Sequence, residues 1–173
     1  MRKTGILMPV SSLPSRTGVG EMGAEAYHFL TLLKESGVKI WQILPMNPVG
    51  YGNSPYQPYS SCAGDELYIS LDTLYEEGLL KERPEGFHEY ATKVDYDAVR
   101  LHKEPYLREA FQTFLTSGGC ETKDYQEFAD QSWVYEYGAF PCAEKRQTGD
   151  AAGMNGNRKI KCGRMRERIW RLS

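Results

Sequence analysis

WQILPMNPVGYGNSPYQPY, residues Trp41 to Tyr59, joins two unlike pieces of chain. A short apolar run, Ile40 to Leu44, breaks at Pro45 into a loop that carries Gly50, Gly52, Pro55 and Pro58. Tyrosines stand in that loop at 51, 56 and 59. Loops at the ends of buried strands are where a rigid scaffold displays functional groups. Tyrosines fixed by glycine and proline make flat, partly polar platforms. A sugar ring packs its C–H face on such a surface while its hydroxyls meet the phenol. Composition alone reads the same loop as an ordinary surface turn.

Upstream, Gly5 to Val10 (GILMPV) reads as a short buried strand ended by Pro9, and Ser11-Ser12-Leu13-Pro14 begins a loop. From Gly23 to Ser36 the apolar residues Ala26, Phe29, Leu30 and Leu33 recur at helical spacing, and Gly37 supplies the stop. Val38 to Leu44 returns to strand composition. Strand, helix and strand joined this way predict a unit of parallel sheet and an α/β fold.

Downstream, Leu67 to Tyr75 passes into a short helix and turn, and Asp97 to Leu115 is helical. Val99, Tyr106, Leu107, Ala110, Phe111 and Phe114 can form one apolar stripe, and Pro105 is expected to start a second helical segment. Tyr125 to Phe128 and Trp133 to Phe140 suggest two more short helices. Trp41 and Trp133 read as core, and histidines 28, 88 and 102 show no partner pattern.

The 173 residues suffice for a proper core, and 40% hydrophobic with 25% charged residues is ordinary globular composition. No apolar run approaches membrane-spanning length. The opening Arg2-Lys3 and Gly5 to Val10 are too short, and interrupted by Pro9, for a secretory leader. Cysteines 62, 120, 142 and 162 form no C-x-x-C pair, which predicts reduced thiols in the cytoplasm and neither a disulfide frame nor a zinc site.

Three blocks resemble the 4-α-glucanotransferases, also called amylomaltases or disproportionating enzymes. They are GILMPVSSLPSRTGVGEMG; the stretch through WQILPMNPVGYGNSPYQPYSSCAGDELYISLDTL; and VDYDAVRLHKEPYLREAF with SWVYEYGAF. The resemblance implies the N-terminal portion of a (β/α)8 TIM barrel, its first strands plus a helical insertion, truncated before the rest. On this reading residues 1–80 are the first βαβ portion with the glucan-binding loop, 81–140 the helical insertion, and 141–173 a divergent basic tail.

The family moves α-1,4-glucan segments to the 4-hydroxyl of an acceptor sugar with retention, so two close carboxyl groups are needed, a nucleophile and an acid/base. By resemblance those acids lie beyond this sequence. Asp65, Asp72, Asp95 and Asp97 match none of them and read as solvated or capping residues. No catalytic residue, metal or cofactor is expected here, and the chain alone is expected to be inactive. What the resemblance leaves is binding apparatus for α-1,4-glucans such as maltodextrin. Tyr56 matches a tyrosine that stacks on sugar at the cleavage subsite, and Tyr51 one in a second glucan-binding surface. Ser54, Pro55 and Gln57 would shape the loop, Gln57 also meeting a hydroxyl, and Ser11, Ser12, Leu13 and Pro14 would line the top of the first strand. For Ser11, Ser12 and Gln57, bonding to local backbone stands equally beside substrate contact. Tyr59 fits either role.

The match is expected to fail around Gly138 to Pro141. From Pro141 to Ser173 nine lysines or arginines face three acids, a net of +6, whereas residues 1–140 carry a net of −8. A shifted reading frame would account for the split, because the codons of Met154-Asn155-Gly156-Asn157, read one base earlier, can spell Asn-Glu-Trp-Glu. A basic arm for nucleic acid or an acidic partner ranks below it, since no fold motif and few aromatics accompany the charge.

Overall fold

β1 (Gly5–Leu7) and β2 (Ile40–Gln42) pair in parallel, with Gly5 opposite Ile40, Ile6 opposite Trp41 and Leu7 opposite Gln42. The crossover between them is helix α1, Ala24–Glu35. This is the strand–helix–strand unit expected from the periodicity, in a computed structural model that describes residues 2–50, 52–87, 93–134 and 137. The strands are shorter than the apolar runs. Pro9 ends the first, and Val10–Ser12 turn as a 3-10 helix, although the Met8 N–H still donates to the Gln42 carbonyl at 2.9 Å.

α1 stops where glycine allows it. Gly37 adopts φ 73°; its N–H donates to the Lys34 carbonyl at 3.1 Å, and the Val38 N–H reaches the Leu33 carbonyl at 2.9 Å. This paired closure satisfies carbonyls that a helix end otherwise leaves open. Ala26 and Leu33 are buried, Phe29 is half-buried, and Leu30 is exposed, so the inward stripe is narrower than its apolar residues suggest.

Among the described residues, two apolar clusters form the core. Val10, Leu13 and Ala26 gather Met8, Phe29, Trp41, Met46 and Tyr68. Val19, Leu67 and Val99 gather Phe87, Val94 and Tyr96. Trp41 is half-buried; its ring meets Phe29 edge-on at 5.1 Å, and its Nε1 donates to the Met8 carbonyl at 2.8 Å. Trp41→Phe should therefore cost about 1 kcal/mol, read from the urea midpoint at unchanged slope.

After a 3-10 turn at Glu66–Tyr68 come α2, Leu71–Glu76, and α3, Tyr96–Thr116. α3 corrects the expected break, because it runs unbroken through Pro105. Proline normally costs a helix interior one hydrogen bond and a clash with the preceding turn. Here Val99, Lys103 and Ala110 are buried on either side of it, so tertiary packing holds the turns that local propensity would separate. Val99 and Ala110 keep to the expected stripe, Phe111 is exposed, and the unforeseen member of the buried face is Lys103.

The chain divides into two compact units, Met1–Thr113 and Phe114–Ser173. In the second, Thr122 caps α4 (Lys123–Ala129) by accepting the Tyr125 N–H at 3.4 Å. Phe114 meets Tyr125 at 5.4 Å, and the half-buried Trp133 meets Phe128 edge-on at 5.7 Å. The expected 133–140 helix falls largely outside the described residues, and the basic tail entirely so. Cys62 is a free, exposed thiol, but Cys120 is disulfide-bonded, which corrects the expectation of reduced thiols and weakens the compartment argument built on it. No helix among the described residues is long and apolar enough to cross a membrane.

The sheet departs from expectation in burial. Parallel strands are usually covered on both faces. Here Ile6, Leu7 and Ile40 are exposed, as are Tyr27 and Leu32 on α1. The two strands among the described residues are too few to enclose their own side chains.

Candidate glucan-binding site

The loop after β2 is closed by its own backbone. Val49 and Pro58 form an antiparallel bridge, and the Tyr59 N–H donates to the Pro48 carbonyl at 3.0 Å. Inside this neck the Asn53 N–H reaches the Gly50 carbonyl and the Gln57 N–H reaches the Ser54 carbonyl, both at 3.1 Å. Ser54-Pro55-Tyr56-Gln57 is therefore a turn with proline at its second position, where a fixed φ favours it. Gly52 at φ 84° and Asn53 at φ 52° supply the left-handed conformations between the two bonds.

This geometry presents Tyr56. Standing third in a tight turn, it is 71% exposed. Gln57 beside it is exposed, and Ser54 is half-buried. The Tyr59 ring lies against Gly50, where an added Cβ would come within 3.2 Å of its Cζ, so that ring braces the loop. Tyr51 lies outside the described residues.

The neck is anchored below. The Asp65 N–H donates to the Met46 carbonyl at 2.8 Å, and Asn47 Nδ2 donates to the Ala63 carbonyl at 2.8 Å. Ser60 Oγ accepts from the Cys62 and Ala63 N–H groups at 3.2 and 3.1 Å. Asp65 Oδ1 in turn accepts from the Leu67 N–H at 3.0 Å.

Ser11 and Ser12, expected at the top of β1, separate. Ser11 is half-buried, and its carbonyl accepts from the Gly20 N–H at 3.1 Å. Burial pushes the Tyr68 phenol pKa above its ordinary value, with Tyr96 and Asp65 adding and Ser11 and Arg100 opposing. Ser12 is exposed, as is Pro14, while Leu13 is buried in the core. Leu13 is thus packing, and the Ser11 backbone is tied into the turn after β1.

Asp65, Asp72, Asp95 and Glu21 are occupied in structural work, while Asp97 is exposed in the first turn of α3. Asp65 is buried and takes a forked pair from Arg100, at 3.1 Å to Oδ1 and 2.7 Å to Oδ2, where solvation or capping alone had been expected. Asp72 pairs with Arg83 at 3.1 Å and with Arg16 at 3.5 Å. Asp95 accepts the Ala98 N–H at 3.0 Å, which caps α3. Glu21 meets Lys103 Nζ at 2.6 Å and also accepts from Thr17 Oγ1.

Lys103 escaped the sequence reading, and only its place on the stripe between Val99 and Ala110 could have signalled it. The residue is 0% exposed, and Nζ donates also to the Leu67 and Ile69 carbonyls, each at 2.7 Å. Burial lowers its pKa from the ordinary lysine value, with Glu21 opposing.

A family model described as 4-alpha-glucanotransferase matches residues 8–161. The match passes the Gly138 to Pro141 boundary at which resemblance was expected to end. The chain is similar to the 4-alpha-glucanotransferase of Streptococcus pneumoniae TIGR4, 41% identical over 138 residues, covering 77% of this chain and 27% of that protein. It is also similar to that of Synechocystis, 38% identical over 158 residues, covering 86% of this chain and 30% of that one. Among solved structures, the amylomaltase of Streptococcus agalactiae in complex with acarbose superposes with a TM-score of 0.71 at 31% identity, covering 87% of this chain and 31% of that one. The chain thus spans under a third of the length of these relatives. With a model match over most of its residues, this chain belongs to the 4-alpha-glucanotransferase family.

Proposed function

We propose that this chain supplies the N-terminal portion of a 4-alpha-glucanotransferase, contributing glucan-binding surface and no catalytic carboxylate. The observation that carries this reading is Tyr56, raised on a backbone-locked turn and 71% exposed. An exposed aromatic face on a turn whose backbone is fixed suits stacking on a sugar ring. Gln57 and Ser54 beside it offer hydroxyl partners, and Tyr51 belongs to the same proposal as part of a second glucan-binding surface away from this one.

Two further observations support the reading. The apolar exposure of β1, β2 and α1 fits the opening of a (β/α)8 barrel whose later strands and helices would cover it. Glu21, Asp65, Asp72 and Asp95 are each committed to cations or caps, so none stands as half of a carboxylate pair for retaining transfer. Division at residues 80 and 140 remains part of this proposal. So does a cytoplasmic setting.

Calorimetry with maltoheptaose tests the binding role. The chain should bind weakly, and Tyr56→Ala should weaken binding about five- to tenfold while Tyr56→Phe keeps most of it. Equal affinity in Tyr56→Ala and the parent would remove Tyr56 from the site. Incubation with maltotriose should release no glucose and form no longer oligomers; turnover by the pure chain would contradict the absence of catalytic acids.

A further inference from the structure

We infer that Arg100 and Lys103 of α3 form a two-point clamp that positions the tyrosine loop, a role that deepens and rests on the reading of that loop as glucan-binding. Spaced three apart, the two side chains leave one face of the helix. Arg100 grips Asp65 through both guanidinium nitrogens and adds Glu66 at 2.6 Å. Lys103 grips the Leu67 and Ile69 carbonyls. The segment 65–69 is thus held at both ends by one helix.

The same segment carries the loop's neck. Its first residue, Asp65, donates its N–H to Met46, and Ala63 just before it receives Asn47. Met46 and Asn47 lead into Pro48, whose carbonyl closes the loop against Tyr59. A forked arginine fixes orientation as well as distance, which a point charge would not. The Asp65 side chain is 2% exposed, so water cannot substitute for a lost partner. Lys103 also holds Glu21, next to Gly20 and Met22, whose N–H groups donate to the Ser11 and Tyr68 carbonyls. One helix therefore sets the loops that follow both strands. Arg100 and Lys103 are positioning residues, acting on sugar through Tyr56 and Gln57.

A purely structural ion pair would lower stability everywhere, whereas a clamp loosens the loop first. Amide hydrogen exchange on the full chain separates the two, comparing the parent with Arg100→Met and Asp65→Asn. Arg108→Met serves as the control, because Arg108 pairs with Glu104 on the exposed side of the same helix. The Asp65 and Tyr59 amides should exchange about tenfold faster or more in both clamp variants. The α1 amides should be unchanged, and maltoheptaose should bind about tenfold more weakly. The control should match the parent throughout. Unchanged Tyr59 protection, or equal acceleration of every amide, overturns the clamp. If Arg100→Met does not fold, Asp65→Asn carries the test, since its amide oxygen can still accept the Leu67 N–H. Loosening of the loop in a chain whose parent binds no maltoheptaose supports the clamp and overturns the glucan reading.

Discussion

Lys103→Met is expected to lower the unfolding free energy by about 3–5 kcal/mol, the range for removing one partner of a buried charge pair. All three donors of Nζ are used, on Glu21, Leu67 and Ile69. Methionine fills similar space but offers none of them, leaving a buried carboxylate and two carbonyls without that cation. Domains of this size hold only about 5–15 kcal/mol in total, so the variant should be partly unfolded at low urea. A Glu21→Gln/Lys103→Met double variant should recover part of the loss by removing the orphaned charge, but not the part due to the carbonyls. Urea denaturation of both variants checks this. A midpoint for Lys103→Met within experimental error of the parent would mean that the contacts contribute nothing.

Gly20→Ala is the second large effect. The backbone of Gly20 lies against the turn after β1, and an added Cβ would overlap the Val10 carbonyl oxygen and come within 2.8 Å of the Leu13 nitrogen. Both obstacles are main chain, so no rotamer change relieves them. The Val10–Ser12 turn would have to shift, carrying buried Val10 and Leu13 with it. Overpacking of this kind costs about 1–3 kcal/mol, with rigid backbone at the upper end. Gly37→Ala is the useful contrast, because Gly37 has φ 73° and nothing within 4 Å of an added Cβ. Its cost should stay near 1 kcal/mol, from the left-handed backbone alone. Thermal unfolding of the pair orders them, Gly20→Ala melting lower.

The sequence made the strand–helix–strand unit legible because local signals agreed there. Apolar runs ended at Pro9 and Pro45, helical spacing ran through α1, and Gly37 stood where the helix needed a left-handed residue. The family was legible from the tyrosine loop. Where interactions are long-range, the reading failed. Lys103 reaches Glu21 across 82 positions, and Arg100 reaches Asp65 across 35, so no window of sequence contains both partners. Pro105 misled for the reverse reason: a strong local preference yielded to packing on both sides of it. Leu30 and Phe111 show that an apolar residue at helical spacing need not face a core when the chain spans only part of its relatives' length.

We propose above all that the turn bearing Tyr56 is a glucan-binding surface on a domain without transfer chemistry of its own. An NMR titration of the chain with maltoheptaose, set beside the β-1,4-linked cellohexaose, tests it most directly. Saturable shifts concentrated at Tyr56 and Gln57 are expected with the α-linked oligomer and none with the β-linked one. Unmoved resonances at millimolar maltoheptaose, or equal shifts with both sugars, would contradict it.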